Sequence, residues 1–150
     1  MMQESYEINR STCAVIPIDE NTSKIIEKND SFIINQSVSK IIENSCRFFG
    51  SSYLGRHEGT KNLIGFNYKA PIIIEETNEL IFFPTSSPRF NKCSWICLKS
   101  VKDYQRKNRI SVVCFDNGQD LEIDISYESL ENQILRATRL ESILRSRKLS

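Results

Sequence analysis

No apolar run in this chain is more than a few residues long, and turn-forming residues fence the runs. Ile72-Ile73-Ile74 and Leu80-Ile81-Phe82-Phe83 are joined through Glu76-Thr77-Asn78-Glu79 and read as a hairpin. A membrane helix needs roughly 20 apolar residues, so no segment is expected to span a bilayer and the core has to be assembled from short pieces. The pattern recurs along the chain. Ile110–Phe115 and Leu121–Ile125 surround Asp116-Asn117-Gly118-Gln119, and Asn-Gly between alternating segments is the strongest short-range hairpin signal. Lys24-Ile25-Ile26-Glu27 and Phe32-Ile33-Ile34 flank the polar break Asn29-Asp30, residues 5–18 read as a strand-rich opening, and Trp95, Ile96 and Leu98 begin another strand.

Two segments carry helical spacing instead. From Ser37, the apolar positions Val38, Ile41, Ile42, Cys46 and Phe49 predict about three turns ending near Gly50. At the other end, Ser126 is placed to cap a helix whose face carries Tyr127, Leu130, Ile134, Ala137, Leu140 and Leu144. Glu128 and Glu131 suit its positive N-terminal end, and Arg145, Arg147 and Lys148 its negative C-terminal end. Residues 50–66, with Gly50, Gly55, Gly59 and Gly65, read as a positively charged surface segment, and Lys99 to Arg109 as a basic loop. The expected fold is α+β: mostly antiparallel sheet and hairpins with two or three helices, the last amphipathic, in one domain over residues 1–150. The first half of the terminal helix is expected to pack on its own sheet and its last turns, with Leu140 and Leu144, to serve oligomerisation; the alternative is complete burial within the monomer.

With 150 residues, 39% hydrophobic and 26% charged, the net charge is only +1, which excludes both a histone-like basic protein and an acidic disordered tail. The distribution says more. Residues 1–45 hold four basic and seven acidic side chains, 46–109 hold eleven and five, and 110–150 hold five and seven, so a +6 middle lies between flanks of −3 and −2. Such segregation is the footprint of an anion-binding surface if folding preserves it. The early acids of Met1–Glu7 do not resemble a signal peptide, and a cytoplasmic location is expected. Five cysteines, an odd number in apolar surroundings, suit reduced buried thiols. Cys93 and Cys97 lack zinc-knuckle spacing, the lone His57 has no triad motif around it, and the glycines form no Walker or dinucleotide fingerprint. No enzymatic activity, metal or cofactor is expected.

The stretch Ser45-Cys46-Arg47-Phe48-Phe49-Gly50-Ser51-Ser52-Tyr53-Leu54-Gly55-Arg56-His57-Glu58-Gly59-Thr60 closely resembles the signature of the ComK family of competence transcription factors. Glu4-Ser5-Tyr6-Glu7, Phe83-Pro84-Thr85-Ser86-Ser87 with Cys93-Ser94-Trp95-Ile96, and Ile125-Ser126-Tyr127 leading to Glu131-Asn132-Gln133 resemble the same family in collinear order. The resemblance implies a DNA-binding activator of DNA-uptake genes, acting at the nucleoid. It implies recognition of paired A/T-rich boxes largely through the minor groove, and self-association into dimers that pair as tetramers on a promoter. RNA polymerase and an adaptor that delivers the protein to Clp protease are the implied protein partners. Family members commonly continue past the helix beginning near Tyr127, whereas this sequence ends at Ser150, so DNA binding is expected to carry over more fully than activation.

The implied DNA contacts are Arg47, Ser51, Ser52, Tyr53, Arg56, His57, Thr60, Lys61, Arg89 and Lys92. Arg56 and His57 come first, because A-tract minor grooves are narrow and strongly negative and small neighbours let a backbone approach the sugar-phosphate ridge. Ser51, Ser52 and Thr60 carry hydroxyls able to donate to phosphate, and Arg47 is equally readable as an internal tether. Phe48-Phe49 reads as packing rather than base stacking. Two other functions stay open: a DNA-binding fragment that occludes sites without activating, and a protein-interaction module bound by the protease adaptor.

Overall fold

The computed structural model describes residues 2–88 and 92–149. In chain order the elements are β1 (Met2–Gln3), β2 (Thr12–Asp19), β3 (Thr22–Glu27), β4 (Ser31–Ile34), α1 (Val38–Phe48), α2 (Tyr53–Ile64), β5 (Ile72–Glu75) and β6 (Leu80–Pro84). They continue through β7 (Trp95–Cys97), one 3-10 turn at Leu98–Ser100, β8 (Val101–Lys107), β9 (Ile110–Phe115), β10 (Asp120–Ile123) and α3 (Tyr127–Leu149). The strands form a seven-stranded sheet in the order β1-β4-β3-β2-β7-β6-β5 and a three-stranded sheet β10-β9-β8. β1 runs parallel to β4, and every other pairing is antiparallel. The α+β class and the terminal helix agree with the sequence reading.

Successive side chains of a strand point to opposite faces, and the centre of the large sheet is apolar on both. Ile72, Ile74, Leu80, Phe82, Trp95 and Cys97 pack on one side with Val38, Ile41, Ile42 and Cys46 of α1. Ile73, Ile81, Phe83 and Ile96 pack on the other with Leu130, Ile134, Ala137, Leu140 and Leu144 of α3 and with Val113 and Phe115 of β9. The molecule is therefore layered: α1, the large sheet, then α3 with the small sheet. α2 packs beside edge strand β5 and touches both α1 and α3.

Buried polar groups tie the layers together. Ser45 Oγ accepts from Ile8 N at 2.9 Å and donates to Ile41 O at 2.7 Å, fixing the N-terminal segment on α1. Gln133 Nε2 donates to Pro84 O at 2.7 Å and Lys69 O at 2.8 Å, fixing α3 against the end of β6. Tyr6 donates its hydroxyl to Glu27, and burial followed by that carboxylate raises its pKa. Glu79 receives Arg145 at 2.9 Å and Lys99 at 3.3 Å, contacts that hold its carboxyl below the usual range, Arg145 contributing most.

Four expectations are corrected. Residues 53–64, within the stretch read only as a positively charged surface segment, form a helix. The basic run after Leu98 is strand β8, whose Val101 and Tyr104 turn inward while its charged residues face solvent along a sheet edge, as charges commonly do to block edge pairing. The opening segment is regular strand only from Thr12, although Tyr6 and Ile8 are buried. Leu140 and Leu144 are 0% and 7% exposed in this chain's own core, so the terminal helix closes the subunit rather than offering these positions to a second copy. Leu135, on the outer side of the same helix, is 58% exposed. Leu140→Ala is expected to lower stability by about 2–5 kcal/mol in urea unfolding, Leu135→Ala by no more than about 0.5. Equal small losses would place Leu140 outside the core.

Candidate nucleic-acid interface

The signature stretch folds as two helices joined by the four residues Phe49–Ser52. α1 stops because Gly50 takes φ +88°, a left-handed conformation. Gly50 N donates to Arg47 O and Ser51 N to Cys46 O, both at 3.0 Å, a Schellman ending. The next helix starts at once: Ser52 Oγ accepts from Gly55 N at 3.0 Å, and Glu43 of α1 accepts from Tyr53 N at 2.6 Å. Gly55 leaves room for this start, since a Cβ there would lie 2.7 Å from Ser51 Oγ. Gly65, at φ +79° with its N–H on Lys61 O, ends α2.

The named side chains take different positions on this scaffold. Arg47 is exposed and pairs with Glu43 at 3.0 Å, the carboxylate that caps α2. Tyr53 packs edge-on to Trp95, ring centroids 6.1 Å apart, and burial raises its pKa. The Arg56 side chain is only 15% exposed and turns toward Glu76, 3.2 Å away. His57 donates Nε2–H to Asn67 Oδ1 at 2.9 Å. Thr60 is 0% exposed and donates to Pro71 O at 2.6 Å, so its hydroxyl binds α2 to the start of β5 and is not available to phosphate. Lys61 is exposed on α2. Lys92 lies apart from α2, in a hollow with Leu121, Glu122 and Asp124, and Arg89 lies outside the described residues.

Folding also redistributes the charge. Arg106 meets Glu128 at 2.7 Å and Lys107 meets Glu122 at 2.9 Å, so these cations, with Arg47, Arg56 and Lys99, face carboxylates. Much of the +6 of the middle segment is locally compensated by Glu43, Glu76, Glu79, Glu122 and Glu128, three of them from other parts of the sequence. Burial pushes the Cys46 thiol up to about 11 and raises Cys93 and Cys97 as well, which disfavours the thiolate needed for nucleophilic or metal chemistry. Beside α2 a cleft of about 630 Å³ opens between Ile42, Tyr53, Leu54, Tyr68 and Trp95. Leu54 and Tyr68 are 67% and 60% exposed at its rim.

Sequence reasoning missed α2 because twelve residues containing two glycines show no apolar stripe. The signals that mark it are its ends: Ser52 at the start and Gly65 thirteen residues later.

Residues 3–148 match the family model of the ComK protein. The competence transcription factor of Bacillus subtilis (strain 168) is 41% identical over 148 residues, covering 96% of this chain and 77% of that protein. No solved structure matches the chain.

Thr60→Val, measured by urea unfolding without DNA, is expected to cost about 1–3 kcal/mol by leaving Pro71 O without its donor, and Thr60→Ser to retain most of the stability. No change in the valine variant would return the hydroxyl to the surface.

Proposed function

The chain belongs to the ComK family of competence transcription factors, and from that premise we propose that it binds double-stranded DNA at A/T-rich boxes, mainly through the minor groove. The observation that carries this reading is the exposed helix α2, built from the family signature and stopped and started by Gly50, Ser52 and Gly65. Its first turn presents Leu54 to solvent. Minor-groove proteins use such apolar side chains as wedges between base steps and cations to read groove width. Of the cations named from the sequence, Lys61 is the one on α2 with no ion pair among the described residues. Arg56 and His57 support α2 from within through Glu76 and Asn67. In this reading the protein works at the nucleoid with a second copy of itself, RNA polymerase and a Clp adaptor as partners.

One observation favours a second docking geometry. Two helices joined by a short glycine-containing turn share the connectivity of helix-turn-helix proteins, whose second helix enters the major groove. Competition separates the two. With an A/T-box duplex, a minor-groove-binding drug is expected to displace the protein, while replacing adenine by 7-deazaadenine, which removes the major-groove N7 acceptor, leaves binding unchanged. Displacement only by the major-groove modification would assign α2 to the other groove. Equal binding to A/T and G·C duplexes would remove sequence specificity. A promoter reporter then distinguishes an activator from a protein that only occupies the site.

A further inference from the structure

Positive charge with no ion pair among the described residues is carried by α2, the segment that follows it and α3. Residues 59–74 and 132–140 contain no Asp or Glu, and they supply Lys61, Lys69, Arg136 and Arg139. The fold brings the two stretches together: α2 packs on α3, Gln133 Nε2 donates to Lys69 O at 2.8 Å, and Arg136 Nη1 donates to Tyr68 O at 3.2 Å. The Arg136 guanidinium also stacks on Phe66, 4.3 Å from the ring centroid, so the segment between α2 and β5 holds it in place. Lys69 Nζ lies 5.5 Å from the Tyr68 ring. Lys61 and Arg139 are exposed, with no ion pair among the described residues. On α2 the closest carboxylate in sequence is Glu58, one turn before Lys61. A shallow hollow is lined by Phe66, Asn132, Leu135, Arg136 and Arg139.

We infer that this α2–α3 surface, centred on residues 65–69, is the face that grips the phosphate backbone of double-stranded DNA, through Lys61, Lys69, Arg136 and Arg139. The inference rests on the DNA-binding reading above. Charge complementarity selects the occupant. A duplex carries a phosphate charge about every 1.7 Å of its axis, so cations spread over two helices and the segment between α2 and β5 meet several phosphates together. The fixed Arg136 fork suits a phosphate's paired oxygens. Two of the three β8 cations, Arg106 and Lys107, are already paired with Glu128 and Glu122.

Fluorescence anisotropy of the full chain on an A/T-box duplex across a salt series tests this. Each phosphate deprived of its cation is expected to make the log-log salt slope shallower by about 0.9, so Lys61→Gln with Arg139→Gln should reduce it by about 2. The charge-conserving pair Lys61→Arg with Arg139→Lys should keep the wild-type slope. A control pair on the small sheet with no ion pair among the described residues, Lys102→Gln with Arg109→Gln, should also keep it. The inference is overturned if the first pair leaves the slope unchanged while wild type binds, or if the control pair reduces it as much. Wild-type binding to anionic phospholipid vesicles, with none to duplex, would overturn both this inference and the DNA-binding reading.

Discussion

The two-sided burial of β5, β6 and β7 is the constraint from which the rest of the molecule follows. Side chains alternate across a strand, so a run such as Leu80-Ile81-Phe82-Phe83 exposes apolar surface on both faces of its sheet. Fully burying an Ile, Leu or Phe side chain contributes about 1.5–3 kcal/mol, and Ile72, Ile74, Ile81, Phe82, Phe83 and Ile96 are each 0% exposed. One helix layer leaves half of that surface in water. α1 covers one face, and α3 with the small sheet has to cover the other. This demand explains why Leu140 and Leu144 turn inward and why the terminal helix is a structural wall.

The same demand explains where α2 lies. The large sheet ends at β5, whose outer edge needs cover, and α2 supplies it with the buried Thr60 hydroxyl bonded to Pro71 O. α2 carries little apolar surface of its own and only Thr60 is fully buried. It is held by its ends and neighbours: Ser52 and Glu43 at the start, Glu76 on Arg56 along the side, Gly65 at the stop. A helix held this way keeps Leu54 and Lys61 in solvent, which suits a surface for a large ligand.

Local pattern was sufficient for most of the architecture. The hairpins around Asn29-Asp30, Glu76–Glu79 and Asn117-Gly118 form, with Gly118 at φ +90°, and both amphipathic helices begin after their serine caps. Elements without an apolar period were not legible. α2 is marked only by its caps, and β8 is a charged edge whose pairing with β9 supplies what its sequence lacks. The candidate contacts were less legible than the fold, because a charge's role depends on what folds against it. Arg56 is drawn in by a glutamate 20 residues away and Arg106 by one 22 residues away, whereas Arg136 turns to Tyr68 O and, like Arg139, has no ion pair among the described residues.

Hydroxyl-radical footprinting of the full chain, with and without an A/T-box duplex, tests most directly whether the α2–α3 side meets DNA. Tyr68 and Leu135 are exposed on that side, while Tyr104 and Tyr127 stack with each other, ring centroids 5.5 Å apart, beside the small sheet. The account predicts that duplex lowers the oxidation of Tyr68 and Leu135 and leaves Tyr104 and Tyr127 unchanged. Protection of Tyr104 and Tyr127 with Tyr68 and Leu135 as reactive as before would contradict it.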